Sequence, residues 1–295
     1  MISDEGKARE LLANACARVG LDSRDARLMR LGSNAVFRLV EPEVVRIARS
    51  SVDLPHARRT IAVARWLEAE EYPAVRALHF DQPVIADGYP ATFWEAVSPV
   101  GNEWTSVAEI AELLVKLHKL VAPADLRLPD VAPFAKAEER ISSNTWLSPE
   151  NRRIMTDKLV ELQQRYARLD WALSYGVIHG DAGAGNTLRD WNGRPVMIDL
   201  DNFAVGHREW DLILTAVYYD SFSWHSTQEY EEFAQAYGFD IMKWSGYSTL
   251  KELSEFLMVT WVITKAVESQ QVADEASKRI ESIRTGASRK DWSPL

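Results

Sequence analysis

Two short polar segments of this sequence, each entered from an apolar run, carry side chains suited to phosphate chemistry. In the first, His179-Gly180-Asp181 follows two apolar residues, and four residues separate it from Asn186. The second is an apolar run that ends in Asp199. An Asn-Gly pair between the two segments is a strong hairpin signal. The sequence therefore predicts a hairpin that brings Asp199 beside Asn186.

Phosphoryl transfer needs side chains of these types. Its transition state is loose, so a protein contributes positioning and charge neutralisation more than covalent chemistry. One carboxylate must accept the proton of the attacking hydroxyl, and hard oxygen ligands must hold magnesium against the phosphates. The spacing from Asp181 to Asn186 is that of the protein-kinase catalytic loop, H-R-D-x-x-x-x-N. We therefore predict Asp181 as the catalytic base, and Asn186 and Asp199 as magnesium ligands.

The alternative interpretation is a surface loop that is merely rich in glycine and aspartate. His-Gly-Asp alone would often be such a loop. The joint pattern is rarer, because it also requires the asparagine at the correct offset and an apolar strand that ends in aspartate after a short hairpin. This combination favours the catalytic interpretation.

The elements that must position these residues change in character along the chain. β-Rich runs separated by turn residues predict strands in the first third, at 27–31, 36–40, 44–48, 74–80, 83–86 and 91–97. Apolar periodicity predicts helices at 2–19, 54–69, 106–121, 149–169, 207–219, 227–237 and 250–267. A breaker cluster at 98–102 separates the two regions. We therefore predict two domains, 1–98 and 99–295.

The segment 175–219 resembles the aminoglycoside phosphotransferase and choline kinase family, and weaker similarity extends over most of the chain. Its motifs occur in the expected order: the His179 to Asn186 loop, Ile198-Asp199-Leu200-Asp201, and a run from Gly206 to Leu212. The resemblance implies an α+β, bilobal protein-kinase-like fold. An N-terminal lobe with an antiparallel sheet and one helix would bind nucleotide. A larger, mostly helical C-terminal lobe would carry catalysis and bind the acceptor, with the nucleotide between the lobes.

The same resemblance implies further site residues. Ser33 and Asn34 correspond to the loop that covers the nucleotide, and Arg46 to the basic residue aimed at its α and β phosphates. The strand around Glu95 and Val97 corresponds to the hinge, whose backbone would meet the adenine.

Three further residues are expected to support the site. We expect His179 to shape the catalytic loop through a hydrogen bond, and Asp211 to brace that loop from behind. Asp201 is expected behind the metal site, with direct contact to metal or phosphate as the alternative.

Two residues depart from the family pattern on the nucleotide side. The phosphate-binding base is Arg46, a planar fork, where the family usually has lysine. Thr60 occupies the position of the helix glutamate that usually pairs with that base. Either another acid, such as Glu68 or Glu95, pairs with Arg46, or the ion pair is absent.

Composition excludes several other classes. The chain has 295 residues and a formal net charge of −9, which disfavours non-specific binding to nucleic acid. Its single cysteine permits no internal disulfide, and we see no secretory signal, so a cytoplasmic location is expected. The most apolar late stretch, 256–267, is shorter than the roughly 20 residues of a membrane span. The sequence shows no zinc-ligand spacing, P-loop or dinucleotide fingerprint.

The resulting prediction is a kinase that uses ATP or GTP with Mg²⁺ to phosphorylate a small-molecule hydroxyl, as a monomer or homodimer. The acceptor alternatives are an antibiotic, which would make the enzyme a resistance factor, or a metabolite such as a sugar or amino alcohol. A nucleotide-binding protein without activity and a metal-dependent phosphatase are further alternatives. Acids of the helical half suit a cationic acceptor, although a solvated helix face explains them equally: Asp220, Glu229, Glu231, Glu232 and Glu255.

Overall fold

The framework of the N-terminal region is one antiparallel sheet. The structure, a computed structural model, describes residues 4–32, 34–48, 50–98 and 105–293. The five strands of this sheet are β1 (Arg27–Leu31), β2 (Asn34–Arg38), β3 (Glu43–Ala48), β4 (Val84–Ala86) and β5 (Tyr89–Glu95). They lie in the order β1-β2-β3-β5-β4, and all neighbours are antiparallel.

One face of this sheet packs against helix α1 (Glu5–Val19). Buried side chains of the strands, including Phe37, Val45 and Ile47, form the core with apolar residues of the helix. Because side chains alternate along a strand, Arg46 lies on the opposite face of β3 from its two neighbours. The sheet therefore presents Arg46 away from the α1 core.

Helix α2 (Leu54–Ala69) contacts β5 and a 3-10 turn at Leu200–Asn202. A proline lies in its first turn, where the missing N–H costs no hydrogen bond. Thr60 is buried on its inner side together with Ile61.

Two small two-stranded sheets carry the polar segments. Strand β6 (Tyr175–Ile178) pairs with β9 (Ala204–His207), and β7 (Thr187–Arg189) pairs with β8 (Pro195–Met197). The β7–β8 connection is the predicted hairpin, and Gly193 in its turn has a positive φ of 75°.

The remaining helices of the described residues form a second region of the structure. They are α3 (Val107–Leu117), α4 (Pro133–Ser143), α5 (Pro149–Tyr166), α6 (Glu209–Asp220), α7 (Thr227–Tyr237), α8 (Tyr247–Val262) and α9 (Gln270–Thr285). α3 packs against α7, and α8 contacts α4, α5, α6 and α9. Among the described helices, none combines the length and the apolar character that crossing a membrane requires.

The chain divides into two compact units. The first contains Met1–Thr105, Lys119–Pro129 and Ala184–Phe203, and the second contains Ser106–His118, Asp130–Gly183 and Ala204–Leu295. The first holds the sheet and α2, and the second is mostly helical. The predicted α+β class is therefore confirmed. The single domain boundary near residue 98 stays a prediction, because residues 99–104 lie outside the described part of the chain.

Two features differ from the sequence-based expectations. The stretch 74–80 forms isolated bridges and no strand, because its backbone bonds go to separate partners: Val75 donates to Met197 and Leu78 donates to Phe93. Helices α4 and α9 were not predicted from the sequence. The inner face of α9 includes the charged pair Glu275 and Arg279.

Candidate functional site

The loop after β6 is held by one buried carboxylate. Asp211, in the first turn of α6, is fully buried. Its two oxygens accept hydrogen bonds from the amides of His179 at 2.7 Å and Gly180 at 2.8 Å. The Asp181 amide donates to His179 Nδ1 at 3.3 Å. Residues 179–181 are therefore fixed through their backbone, while the Asp181 side chain is partly exposed.

Further contacts support the same brace. His118 is buried, and its Nε2 lies 3.1 Å from the Asp211 carboxylate. Its Nδ1 lies 2.7 Å from the Tyr237 hydroxyl. Trp210 Nε1 donates to the Gly180 carbonyl at 3.2 Å. Gly180 has a φ of 84°, a conformation that residues with a side chain rarely adopt, so glycine is required at this turn. No pattern in the sequence predicted this role for His118.

The β7–β8 hairpin brings the two predicted metal ligands close in the fold. Asn186 precedes β7, Asp199 follows β8, and the Ile198 amide donates to the Asn186 carbonyl at 2.9 Å. Thr187 pairs with Met197 in the adjoining register. The hairpin predicted from the sequence therefore places the two residues side by side.

The Asp199 backbone has a φ of 56°, in the left-handed region that aspartate visits more readily than most residues. This turn ends β8 and leaves the side chain partly exposed, at 35%. Among the described residues, no group of three or more His, Cys, Asp or Glu side chains could hold a metal alone. Asn186 and Asp199 nevertheless fit magnesium, which is commonly bound by one or two carboxylates with substrate phosphates and waters completing its coordination.

Arg46 of β3 has two acidic partners. Its Nη2 lies 2.5 Å from Asp201 Oδ2 and 3.4 Å from Asp199 Oδ1. The Thr60 hydroxyl lies 3.1 Å from the other Asp201 oxygen, and His56 Nε2 lies 3.8 Å from it. Burial alone would raise the pKa of Asp201, but the hydrogen bonds and charges of His56 and Arg46 outweigh it and hold that pKa well below its usual value.

These contacts answer the question that Thr60 raised. Arg46 does have a carboxylate partner, and it is Asp201. Neither glutamate named from the sequence takes that place, since Glu68 bonds to His79 at 3.0 Å and Glu95 lies exposed at the end of β5. The alternative that another acid pairs with Arg46 is therefore confirmed, but the two glutamates named as examples were wrong, because the sequence does not show that the turn after β8 contacts α2.

The other expected nucleotide-binding residues lie in the first unit. Asn34 begins β2, and its carbonyl accepts from the Gly32 amide at 3.0 Å, whereas Ser33 lies outside the described residues. The Glu95 amide donates to the Arg76 carbonyl at 2.9 Å. Val97 follows β5 and is partly buried.

An aromatic group that the sequence analysis did not single out lies near the loop that carries Asp181. The Tyr218 hydroxyl lies 3.6 Å from the position that a Cβ on Gly183 would occupy. Burial and then the Asp181 charge raise the pKa of Tyr218 to about 12. The Trp224 ring centroid is 5.1 Å from that of Tyr218, and the Trp224 side chain is 38% exposed. Tyr218 on α6 and Trp224 just after this helix therefore form an aromatic pair in the second unit, in which Tyr218 lies near Asp181.

The acids considered for a cationic acceptor mostly have partners in the fold. Asp220 bonds to Lys251 at 2.5 Å and to the Tyr247 hydroxyl at 2.9 Å. Glu255 is buried and lies 3.1 Å from Arg289. Glu229 closes the capping box that begins α7. These acids therefore have structural roles that explain their presence.

The predicted site residues are divided between the units. His179, Asp181 and Asp211 belong to the second, which the β6–β9 pair and α6 build. Arg46, Asn186, Asp199 and Asp201 belong to the first, together with Ser33, Asn34, Glu95 and Val97.

Comparison with known proteins gives one family match. A family model described as a phosphotransferase enzyme family (APH) matches residues 29–253, more than half of the chain. Comparison with curated protein sequences gives no significant match.

Several solved structures share the fold. The amicoumacin kinase hAmiN, solved with AMP-PNP and Ca²⁺, is 13% identical, with a TM-score of 0.71 over 99% of this chain and 96% of that one. Spectinomycin phosphotransferase APH(9)-Ia, solved with ADP and spectinomycin, is 16% identical, with a TM-score of 0.64 over 96% and 95%. Choline kinase LicA of Streptococcus pneumoniae is 16% identical, with a TM-score of 0.62 over 94% and 99%. At these identities the likeness shows the fold, and the expected protein-kinase-like fold is confirmed.

Proposed function

Because this chain belongs to the phosphotransferase enzyme family, we propose that it transfers the γ-phosphoryl group of ATP, with Mg²⁺, to a hydroxyl of a small molecule. Family membership makes the chain a small-molecule phosphotransferase that acts on hydroxyl groups. The nucleotide, the metal and the identity of the acceptor are our proposal.

The observation that carries this proposal is the way the fold fixes the Asp181 backbone. Asp211 clamps the two amides before it, so the carboxylate projects from a rigid loop and remains partly exposed. Catalysis of phosphoryl transfer depends on such positioning. Asp181 then orients the acceptor hydroxyl and takes its proton as the oxygen attacks phosphorus.

Asn186 and Asp199 would hold the magnesium ion. Both offer oxygen ligands, and the bond between Ile198 and Asn186 keeps them on one hairpin. When bound, Mg²⁺ neutralises charge on the β and γ phosphates.

The first unit would bind the nucleotide. Arg46 would contact the phosphates, and Ser33 and Asn34 would cover them. The Glu95 amide already donates to the Arg76 carbonyl. We therefore assign the Glu95 carbonyl and the Val97 amide as the hinge groups that would bind the nucleotide base. GTP would use the same phosphate contacts.

The second unit and the solved relatives support a proposal for the acceptor class. The solved relatives are named for amicoumacin, spectinomycin and choline. We propose a polar antibiotic with an accessible hydroxyl, for which Tyr218 and Trp224 supply an aromatic wall. An amino alcohol is the competing acceptor, since a cation would also bind the faces of these rings.

The alternative of a nucleotide-binding protein without activity rested on Thr60 in place of the usual glutamate. Arg46 nevertheless has a carboxylate partner, Asp201, so this reason no longer holds. We propose a cytoplasmic enzyme, consistent with its single buried cysteine. Its small-molecule chemistry needs neither nucleic acid nor membrane, and either a monomer or a homodimer would provide it.

A screen of hydroxyl acceptors tests the proposal. Antibiotics, sugars and amino alcohols are incubated separately with the protein, Mg²⁺ and γ-labelled ATP or GTP, and mass spectrometry detects the gain of one phosphoryl group. We expect one acceptor class to gain the label only when nucleotide and Mg²⁺ are both present. Release of phosphate from a phosphorylated compound without nucleotide would support a phosphatase and contradict the proposal.

A further inference from the structure

The Arg46 guanidinium pairs with two carboxylates, Asp199 and Asp201, that lie far along the chain from strand β3. The guanidinium reaches residues that are 153 and 155 positions later in the chain, and only its Nη2 is used in these contacts. Among the described residues, its Nε and Nη1 make no hydrogen bond. An arginine offers five N–H donors, so those on Nε and Nη1 remain for a ligand.

Asp201 is engaged at both oxygens. Oδ2 binds Arg46, while Oδ1 accepts from the Thr60 hydroxyl and faces His56. Thr60 is buried, and its hydroxyl also contacts the His56 carbonyl at 3.1 Å, so the threonine is itself fixed on α2. The carboxylate thus joins β3 to α2.

We infer that Asp201, fixed by Thr60, is the positioning residue that aims Arg46 at the nucleotide phosphates. This inference rests on the proposed nucleotide site. The acid comes from the turn after the metal hairpin instead of from the helix, and a helix threonine anchors it. Asp201 consequently acts through Arg46, and Asn186 and Asp199 are the residues that would bind the metal.

The physical reason is preorganisation. A free arginine side chain loses much rotamer freedom when it binds a phosphate, and a carboxylate that already holds one edge of the guanidinium reduces that loss. The same carboxylate repels the phosphates, because both are negative. Removing Asp201 therefore has two opposite effects on phosphate binding: the hydrogen bond that holds Arg46 is lost, and so is the repulsive charge. The variants must separate these two effects.

Four variants make this separation. Asp201→Ala removes the anchor and the charge. Thr60→Val removes only the hydroxyl, with nearly the same side-chain volume. The double variant Thr60→Glu/Asp201→Ala returns a carboxylate from the helix into the space that Asp201 leaves. Glu68→Ala removes a different acid of α2 and serves as the matched control, since Glu68 bonds to His79.

ATP affinity is measured by calorimetry in EDTA, and again across a magnesium titration. We expect Asp201→Ala to weaken metal-free binding by about tenfold and Thr60→Val by about threefold, because each loses hydrogen bonding at a charged group. The double variant should recover to within about threefold of the wild type, as expected when one charge-assisted hydrogen bond replaces another. Glu68→Ala should bind as the wild type does.

The outcomes are distinguishable. Unchanged or tighter metal-free binding in Asp201→Ala, or a defect only in the magnesium requirement, would overturn the inference and leave the proposed function standing. Failure of the double variant to recover, with native thermal unfolding, would also count against it. If Asp201→Ala does not fold, Thr60→Val decides. A wild-type protein that binds no nucleotide at all would overturn the proposed function, and this inference with it.

Discussion

Asp211 combines several contacts in one buried carboxylate. It accepts two loop amides and contacts His118, so every oxygen has a donor beside it. Asp211→Asn keeps the shape but turns one acceptor into a donor that faces an amide. We expect the free energy of unfolding to fall by about 2 kcal/mol, since a buried group loses its partner. Chemical denaturation measures this change.

The matched control for this prediction lies at the other end of the same helix. Asp220→Asn changes a partly exposed carboxylate that pairs with Lys251, and it should cost less than the Asp211 variant. Equal losses in the two variants would show that Asp211 has no special role in bracing the loop.

Tyr218 provides a second test at the scale of one residue. Its hydroxyl has no hydrogen-bond partner among the described residues, and it lies near Gly183. Tyr218→Phe should therefore keep the stability of the fold and raise KM for the acceptor by about threefold to tenfold, the effect of one lost hydrogen bond. Tyr219→Phe, which alters a contact with Thr227, should keep the wild-type KM. Steady-state kinetics with the acceptor found in the screen decide this, and an unchanged KM in Tyr218→Phe would remove the residue from the acceptor site.

The residues of the candidate site differ in how far the sequence could predict them. A short loop and one hairpin connect Asp181, Asn186 and Asp199. Their spacing in the sequence is therefore enough to predict them as site residues. The Arg46–Asp201 pair joins residues far apart in the chain, and no local pattern encodes it. Tyr218 was missed for the same reason, since its proximity to the loop depends on how α6 packs.

At the scale of elements, two helices have the bounds that the sequence predicts. Helices α2 and α7 have the predicted bounds because an apolar stripe and clear end signals coincide. Helix α9 was not predicted, although Ala273, Ala276, Ile280 and Ile283 recur at helical spacing on its inner face, which also buries the charged pair Glu275 and Arg279. Hydrophobic periodicity does not detect a buried ion pair.

The contribution of the Glu275–Arg279 pair to the stability of the fold can be tested by mutation. Glu275 Oε1 accepts from Arg279 Nε at 2.7 Å and from the Ser293 amide at 2.9 Å, which ties the C-terminal segment to the helix. Both side chains are at least nine-tenths buried. Glu275→Gln should lower the free energy of unfolding by about 3 kcal/mol, because it leaves a buried arginine without its counter-charge. Glu281→Gln, on an exposed pair of the same helix, should leave the stability unchanged.

The pH dependence of this effect has a defined sign. Burial alone would raise the pKa of Glu275, but the bonds from Lys278, Arg279 and Ser293 lower it below the ordinary value of 4.5. A lowered pKa in the fold stabilises the protein above the unfolded pKa, and this contribution is lost as the pH falls through the folded value. Acid unfolding of Glu275→Gln should accordingly depend less steeply on pH than that of the wild type. An identical pH slope would contradict this account of the helix.

At the scale of the whole molecule, the chain passes repeatedly between its two units. Segments such as Lys119–Pro129 and Ala184–Phe203 belong to the first unit although the sequence around them belongs to the second. A linear reading of composition predicts one boundary and cannot anticipate such exchanges. The loop that carries Asp181 and the β7–β8 hairpin consequently belong to different units, although only a few residues separate them.

In the mechanism that we propose, Asp181 takes the proton of the acceptor while other residues bind the nucleotide. The most direct measurement compares wild type and Asp181→Asn for phosphorylated acceptor by mass spectrometry and for ATP affinity by calorimetry. We predict that transfer falls by at least about a hundredfold, as expected for loss of a general base, while ATP affinity stays within about twofold because the substitution leaves the phosphate contacts in place. Transfer at the wild-type rate in Asp181→Asn would contradict the account.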